Sequence, residues 1–121
     1  MTDKEKIIET INLYFDSFYE SNAQLVKQVF HPMGKITGYE KGELIEMDVN
    51  QFAKFISDQK PSPSDNNDPK KLEIISIEIV GKTAVAKVRD DYLGVTYLDI
   101  LSFLKIGDNW GIYTKLFHIE G

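Results

Sequence analysis

The chain contains no cysteine. Disulfide frameworks, thiolate metal sites, cysteine nucleophiles and thiol redox chemistry are excluded together. Positive charge is also scarce: 14 basic residues face 19 acidic ones, for a formal charge of -5. Such a surface is ill suited to tracking a phosphate backbone, so nucleic acid is not an expected partner. No apolar run approaches the ~18–20 residues that a membrane-spanning helix needs, so no membrane partner is expected. The start, Met1-Thr2-Asp3-Lys4-Glu5-Lys6, mixes both charges without a signal-peptide pattern, and the chain is read as cytoplasmic. Glycine-rich phosphate loops, a serine elbow, a dinucleotide fingerprint and closely spaced histidines are all missing, so neither a metal nor a cofactor is expected.

What is present describes a single domain spanning residues 1–121, with 42% hydrophobic and 27% charged residues. Thr2 and Glu5 form a capping box that starts a helix, and Ile7, Ile8, Ile11, Tyr14, Phe15, Phe18 and Tyr19 fall on one stripe of it. Ser21 and Gln24 repeat the capping pattern before a second helix with Leu25, Val26, Val29 and Phe30, which Pro32 closes. A short hairpin around Glu40-Lys41-Gly42-Glu43 follows. Asp48 and Gln51 then open a third helix, running to about residue 60, on Val49, Phe52, Ala53, Phe55 and Ile56. The stretch 61–69 holds three of the four prolines and reads as a solvated connector.

Beyond it the period becomes two. Ile75, Ile77 and Ile79 alternate with polar neighbours; Ala84, Ala86, Val88, Asp90 and Tyr92 share one face of the next strand; Tyr97, Asp99, Leu101 and Phe103 share one face of a longer one. A turn at Gly107-Asp108-Asn109 leads to a last strand from Trp110 to Ile119. The predicted class is α+β: three N-terminal helices packed into a strongly curved, mostly antiparallel sheet, in the order α-α-β-β-α-β-β-β-β.

Four segments carry a resemblance across nearly the whole chain: Ile11-Asn12-Leu13-Tyr14-Phe15-Asp16, Val29-Phe30-His31-Pro32, the run Tyr97 to Ile106, and Trp110-Gly111-Ile112-Tyr113-Thr114-Lys115-Leu116-Phe117-His118. Together they resemble the putative lumazine-binding family of the nuclear transport factor 2-like superfamily. The resemblance implies a cone whose curved sheet wraps a long helix around an apolar cavity, and frequently a homodimer through the convex sheet face. Relatives with that cavity include steroid isomerases, polyketide cyclases and dehydratases, alongside members that only bind or dimerise, and fold alone does not choose among them. Gly111 departs from the basic residue expected there and marks a bulge or bend.

Catalysis in such a cone needs ionisable groups in a poorly solvated pocket. Asp99 interrupts an apolar row and needs a partner. A two-residue Asp108-Asn109 turn pairs Gly107 with Trp110 and sets Asp99 opposite His118, about 5 Å across the strands, as an acid–base dyad; a three-residue turn puts them on opposite faces. Asp90 is a second inward acid, His31 a rim or floor histidine, and Tyr14 a helix-borne hydrogen-bond donor matching the oxyanion donor of steroid isomerases. Where those enzymes carry their base this chain reads Ile36-Thr37-Gly38-Tyr39, without an acid, which argues against that chemistry. Phe18, Phe55, Tyr97 and Trp110 supply aromatic walls. The functional expectation is a pocket for a small, mainly apolar or heteroaromatic ligand. The alternatives are a cyclase, dehydratase or isomerase working through Asp99 and His118, and a non-enzymatic dimerisation module using Leu13, Ile100 and Leu104.

Overall fold

A computed structural model describes all 121 residues. Helix α1 (Asp3–Tyr19) opens on the Thr2/Glu5 capping box and buries Ile7, Ile11, Tyr14, Phe15 and Phe18. Burying side chains of that size contributes roughly 1.5–3 kcal/mol each, so this stripe anchors the core. Helix α2 (Ala23–Val29) is capped by Asn22, whose side chain accepts from the Gln24 and Leu25 amides. Ser21, expected in that role, instead has a positive φ of 53° and donates its hydroxyl to the Gln59 carbonyl. Asparagine competes better here because its carbonyl reaches both orphan amides.

Strands β1 (Phe30–Glu40) and β2 (Glu43–Asp48) form the expected hairpin, turning through Lys41 and Gly42 at φ of 51° and 80°. Helix α3 (Val49–Ser57) carries the Asp48/Gln51 capping box and ends three residues before the expected limit, with Asp58 as its C-cap. The connector is more firmly held than its composition implies. Ser62 and Asp65 bond each other reciprocally, Ser62 is buried, and Tyr19 donates to the Asp68 carbonyl while its own carbonyl accepts from Ser64.

The meander β3 (Leu72–Val80), β4 (Thr83–Tyr92), β5 (Val95–Ile106) and β6 (Asn109–Ile119) completes one six-stranded sheet in the order β2-β1-β6-β5-β4-β3. Every pair is antiparallel except β1 with β6. The sheet curves around α1, and β1 lies so close to β6 that a Cβ on Gly38 would stand 2.5 Å from the Phe117 carbonyl oxygen. Leu13 is half-buried against this core. No helix is long and apolar enough to cross a membrane.

One irregularity decides what the cone contains. The β5–β6 turn is Gly107-Asp108, pairing Ile106 with Asn109, and the register shifts by one between Ser102 and Phe103, where Tyr113 is the extra residue on β6. A bulge of this kind reverses which alternate residues face inward. Trp110 and Ile112 point into the core before it, and Lys115 does so after it, while Leu116 and His118 face solvent.

Candidate functional site

The open end of the cone encloses a cavity of about 120 Å³, walled mainly by Phe18, Ile36, Phe52, Ile56, Tyr97 and Phe117. Glu40, Ile45, Met47 and Phe55 complete its lining, and Phe55, 54% exposed on α3, stands at the mouth. The side chains with polar groups in its lining are Glu40, Asp90, Tyr92, Tyr97 and Lys115. The enclosed volume is below the roughly 300–1,000 Å³ of drug-sized ligand sites and near the roughly 150 Å³ of an engineered cavity that admits benzene, so it holds about one ring.

Alternation along β4 and β5 places the two acids together. Asp90 pairs with Tyr97 and Val88 with Asp99, so Asp90 and Asp99 are diagonal neighbours on the inner face. Both are buried, 3% and 0% exposed. From α1, the Tyr14 hydroxyl donates to Asp99 Oδ2 at 2.6 Å. Burial first, and the Asp99 charge next, hold the Tyr14 hydroxyl well above the ordinary tyrosine range, so it remains a donor. Burial, then the charge of Asp99 and a hydrogen bond to it, push the Asp90 carboxyl up to about 9, so it carries a proton at neutral pH. Burial likewise pushes Tyr92 up to about 12.

Lys115 enters from β6, only 9% exposed. Its Nζ lies 4.8 Å from the ring centre of Phe52, 5.1 Å from that of Tyr14 and 5.9 Å from that of Phe18. No carboxylate pairs with it; the lysine ion pairs of the fold are made by Lys54, Lys70, Lys71 and Lys105. Three buried side-chain oxygens lack any hydrogen-bond partner, Asp90 Oδ2, Asp99 Oδ1 and Tyr92 Oη, and all belong to this cluster.

The structure therefore brings together Tyr14, Phe18, Phe55, Asp90, Tyr97 and Asp99 from the sequence-predicted set, with Tyr14 and Asp99 forming the polar back wall rather than the lining. It does not bring in the other three. His118 is exposed and opposite Leu98, while Asp99 opposes Phe117: the two-residue Gly107-Asp108 turn followed by the bulge gives the register, and the separation onto opposite faces, expected of the three-residue turn and not the dyad expected of Asp108-Asn109. His31 lies away from the cavity, its Nδ1 accepting from the Met33 amide and its ring set edge-on to Tyr113 at 5.4 Å between centroids. Trp110 is core at the far end, donating its indole N–H to Asp3 Oδ1 at 3.1 Å. Sequence reasoning misses Lys115 and Tyr92. Tyr92 shares the alternation that identifies Asp90. For Lys115 the sequence carries no such sign: the bulge expected at Gly111 lies instead at Tyr113, and Gly111 pairs regularly with Leu104.

Residues 2–118 match the family described as "Putative lumazine-binding". The chain is 26% identical over 117 residues to a protein named Aldolase FrzH from Cladobotryum sp, covering 97% of this chain and 91% of that one. Among solved structures it superposes on an NTF-2 like protein of unknown function from Silicibacter pomeroyi at TM-score 0.86 and 20% identity, covering 99% of this chain and all of that one, 100%. An NTF2-like protein of unknown function from Shewanella baltica gives TM-score 0.86 at 23% identity, covering 98% and 94% of the two chains. These superpositions show the cone fold, and the family match covers nearly the whole length. The chain belongs to the putative lumazine-binding family.

Proposed function

We propose that this family member binds a small, flat, mainly apolar or heteroaromatic molecule in the cone, with Lys115 and Asp90 meeting its polar edge. The observation that carries this reading is the pair of unpartnered oxygens on residues lining the cavity, Asp90 Oδ2 and Tyr92 Oη, beside a buried amine with no ion pair. Buried polar atoms are nearly always satisfied, so a cluster left open toward a cavity is a place where a ligand completes the bonding. A heteroaromatic ring with carbonyl oxygens supplies acceptors for Lys115 and for protonated Asp90, and stacks against Phe18 and Phe52. The ring nearest α1 occupies the enclosed volume and any second ring extends past Phe55. Lumazine, the compound in the family's description, is the first probe: a fluorescence titration is expected to saturate, and Lys115→Met to weaken binding about tenfold, the cost of one charge-assisted hydrogen bond. No binding, or binding indifferent to Lys115→Met and to a bulky residue at Phe18, refutes it.

A second reading, an acid–base enzyme acting beside a carbonyl group, is supported by Asp90, which holds a proton near neutrality within a chain of hydrogen bonds, and by the name of the Cladobotryum relative. Asp99 serves here with Asp90 and Tyr14 in place of His118. We further propose a homodimer through the convex sheet face, where Val85, Ile100 and Leu116 lie 40%, 43% and 48% exposed on adjacent strands. Light scattering is expected to give twice the chain mass, and Ile100→Asp combined with Leu116→Asp to halve it; a wild-type monomer sinks this assignment.

A further inference from the structure

We propose that Lys115 captures carbonyl compounds covalently: its Nζ condenses with an aldehyde or ketone seated in the cavity, and Asp90 handles the protons. This rests on the pocket reading above and adds a bond-forming step to it.

A lysine kept for structure pairs its charge with a carboxylate or carries its ammonium to water. Lys115 does neither. The residue is 9% exposed, its nitrogen faces three aromatic rings, and it lines the one cavity that also holds Asp90. A lysine desolvated among apolar walls is the setting in which an amine serves as a nucleophile toward carbonyl carbon. Such a step also needs an acid positioned to protonate the carbonyl oxygen, and Asp90 lines the same cavity with its proton backed by Asp99 and Tyr14.

The balance closes without any oxidant or reductant. Lys115 first passes its ammonium proton to solvent at the open mouth; the lone pair so freed attacks the carbonyl carbon, a C–N bond forms as the C=O π bond breaks, and the oxygen takes the proton of Asp90. The nitrogen returns one proton to Asp90, giving a neutral carbinolamine. Asp90 then protonates the hydroxyl, the C–O bond breaks, water leaves and the nitrogen lone pair forms C=N. The product is an iminium ion facing the Asp90 carboxylate. The cavity limits the carbonyl compound to about one ring near the amine, with larger substituents directed past Phe55.

The test uses benzaldehyde with sodium cyanoborohydride, which fixes the imine as a stable benzylamine, followed by intact mass and peptide mapping. One benzyl group is expected on Lys115 ahead of the exposed lysines, absent from Lys115→Arg, and forming about a hundredfold more slowly in Asp90→Asn, the lower range for loss of a general acid. Label spread over exposed lysines with Lys115 unmodified overturns the proposal, a result read from the wild-type peptide map whether or not a variant folds. Benzyl alcohol, the same ring without the carbonyl, separates the two levels. Chemical-shift changes at Phe18 and Phe52 with no Lys115 label leave the pocket standing and remove the covalent step; no shift changes and no label remove both.

Discussion

Replacing Asp90 by asparagine should abolish the pH dependence of stability over the neutral range. In the folded protein the carboxyl lies near pH 9 against an ordinary value of 3.8. Between those limits the folded state holds a proton that the unfolded state has lost. Stability therefore falls as pH rises, by about 1.4 kcal/mol for each pH unit, or roughly 3 kcal/mol from pH 6 to pH 8. The groups facing Asp90 are Tyr14 from α1, Asp91 and Tyr92 on its own strand, Tyr97 and Asp99 from β5, and Lys115 from β6; of these only the lysine opposes the upward shift. Carboxylates held low by hydrogen bonds, Asp3, Glu5, Asp65 and Glu120, give the opposite slope, but theirs is confined to acid, since their stabilisation is lost as pH falls through their lowered values. Maximum stability is thus expected in mild acid. Asparagine keeps an N–H for Asp99 and has nothing to titrate, so Asp90→Asn should be flat from pH 6 to pH 8 and the more stable protein at pH 8. Urea denaturation at pH 6, 7 and 8 reads this directly, because 3 kcal/mol is a large share of the roughly 5–15 kcal/mol of a domain's stability. A wild-type protein equally stable at the three values, or a slope that survives in Asp90→Asn, refutes the reasoning.

Tyr14→Phe removes the α1 donor to Asp99 and should cost about 1.5–3 kcal/mol by denaturation, the range for a hydrogen bond to a charged group; a loss below about 0.5 kcal/mol would show that Asp90 alone satisfies the carboxylate. Gly38→Ala forces a methyl group against the Phe117 backbone and ring, 2.5 and 2.6 Å away, so β1 and β6 must separate. A loss of about 1–3 kcal/mol is expected, with chemical-shift changes at Phe117 in the cavity wall, and an unperturbed variant would contradict the close packing of these strands.

Much of this cone is legible in residues that act locally. Thr2 with Glu5 and Asp48 with Gln51 cap helices through bonds three residues apart, and Lys41-Gly42 turns a hairpin through positive φ, so neither depends on the rest of the fold. Alternation along β4 and β5 runs unbroken to the inner face, which is why the period-two pattern alone assigns Asp90, Tyr97 and Asp99 to it. The connector reads as solvated for the opposite reason: Ser62 and Ser64 are held by Asp65 and by the far end of α1, contacts that its proline-rich composition does not signal.

Strand β6 shows how far one residue can carry. Its pattern gives no hint of where Tyr113 bulges out, and a period-two reading begun at Trp110 places Thr114, Leu116 and His118 inside. The extra residue moves all three to the other face and brings in Lys115 and Phe117. The cost is a local break in the ladder with β5. Its consequence is chemical, because an imidazole opposite Asp99 would have made a charge-paired dyad with no free valence toward the cavity. With the phenylalanine there, Asp99 draws on Tyr14 and Asp90, and the amine two residues earlier on the strand faces the cavity without a counter-ion. Asp90, Tyr92 and Lys115 thus line the cavity at the open end of the cone, with Asp99 and Tyr14 behind them.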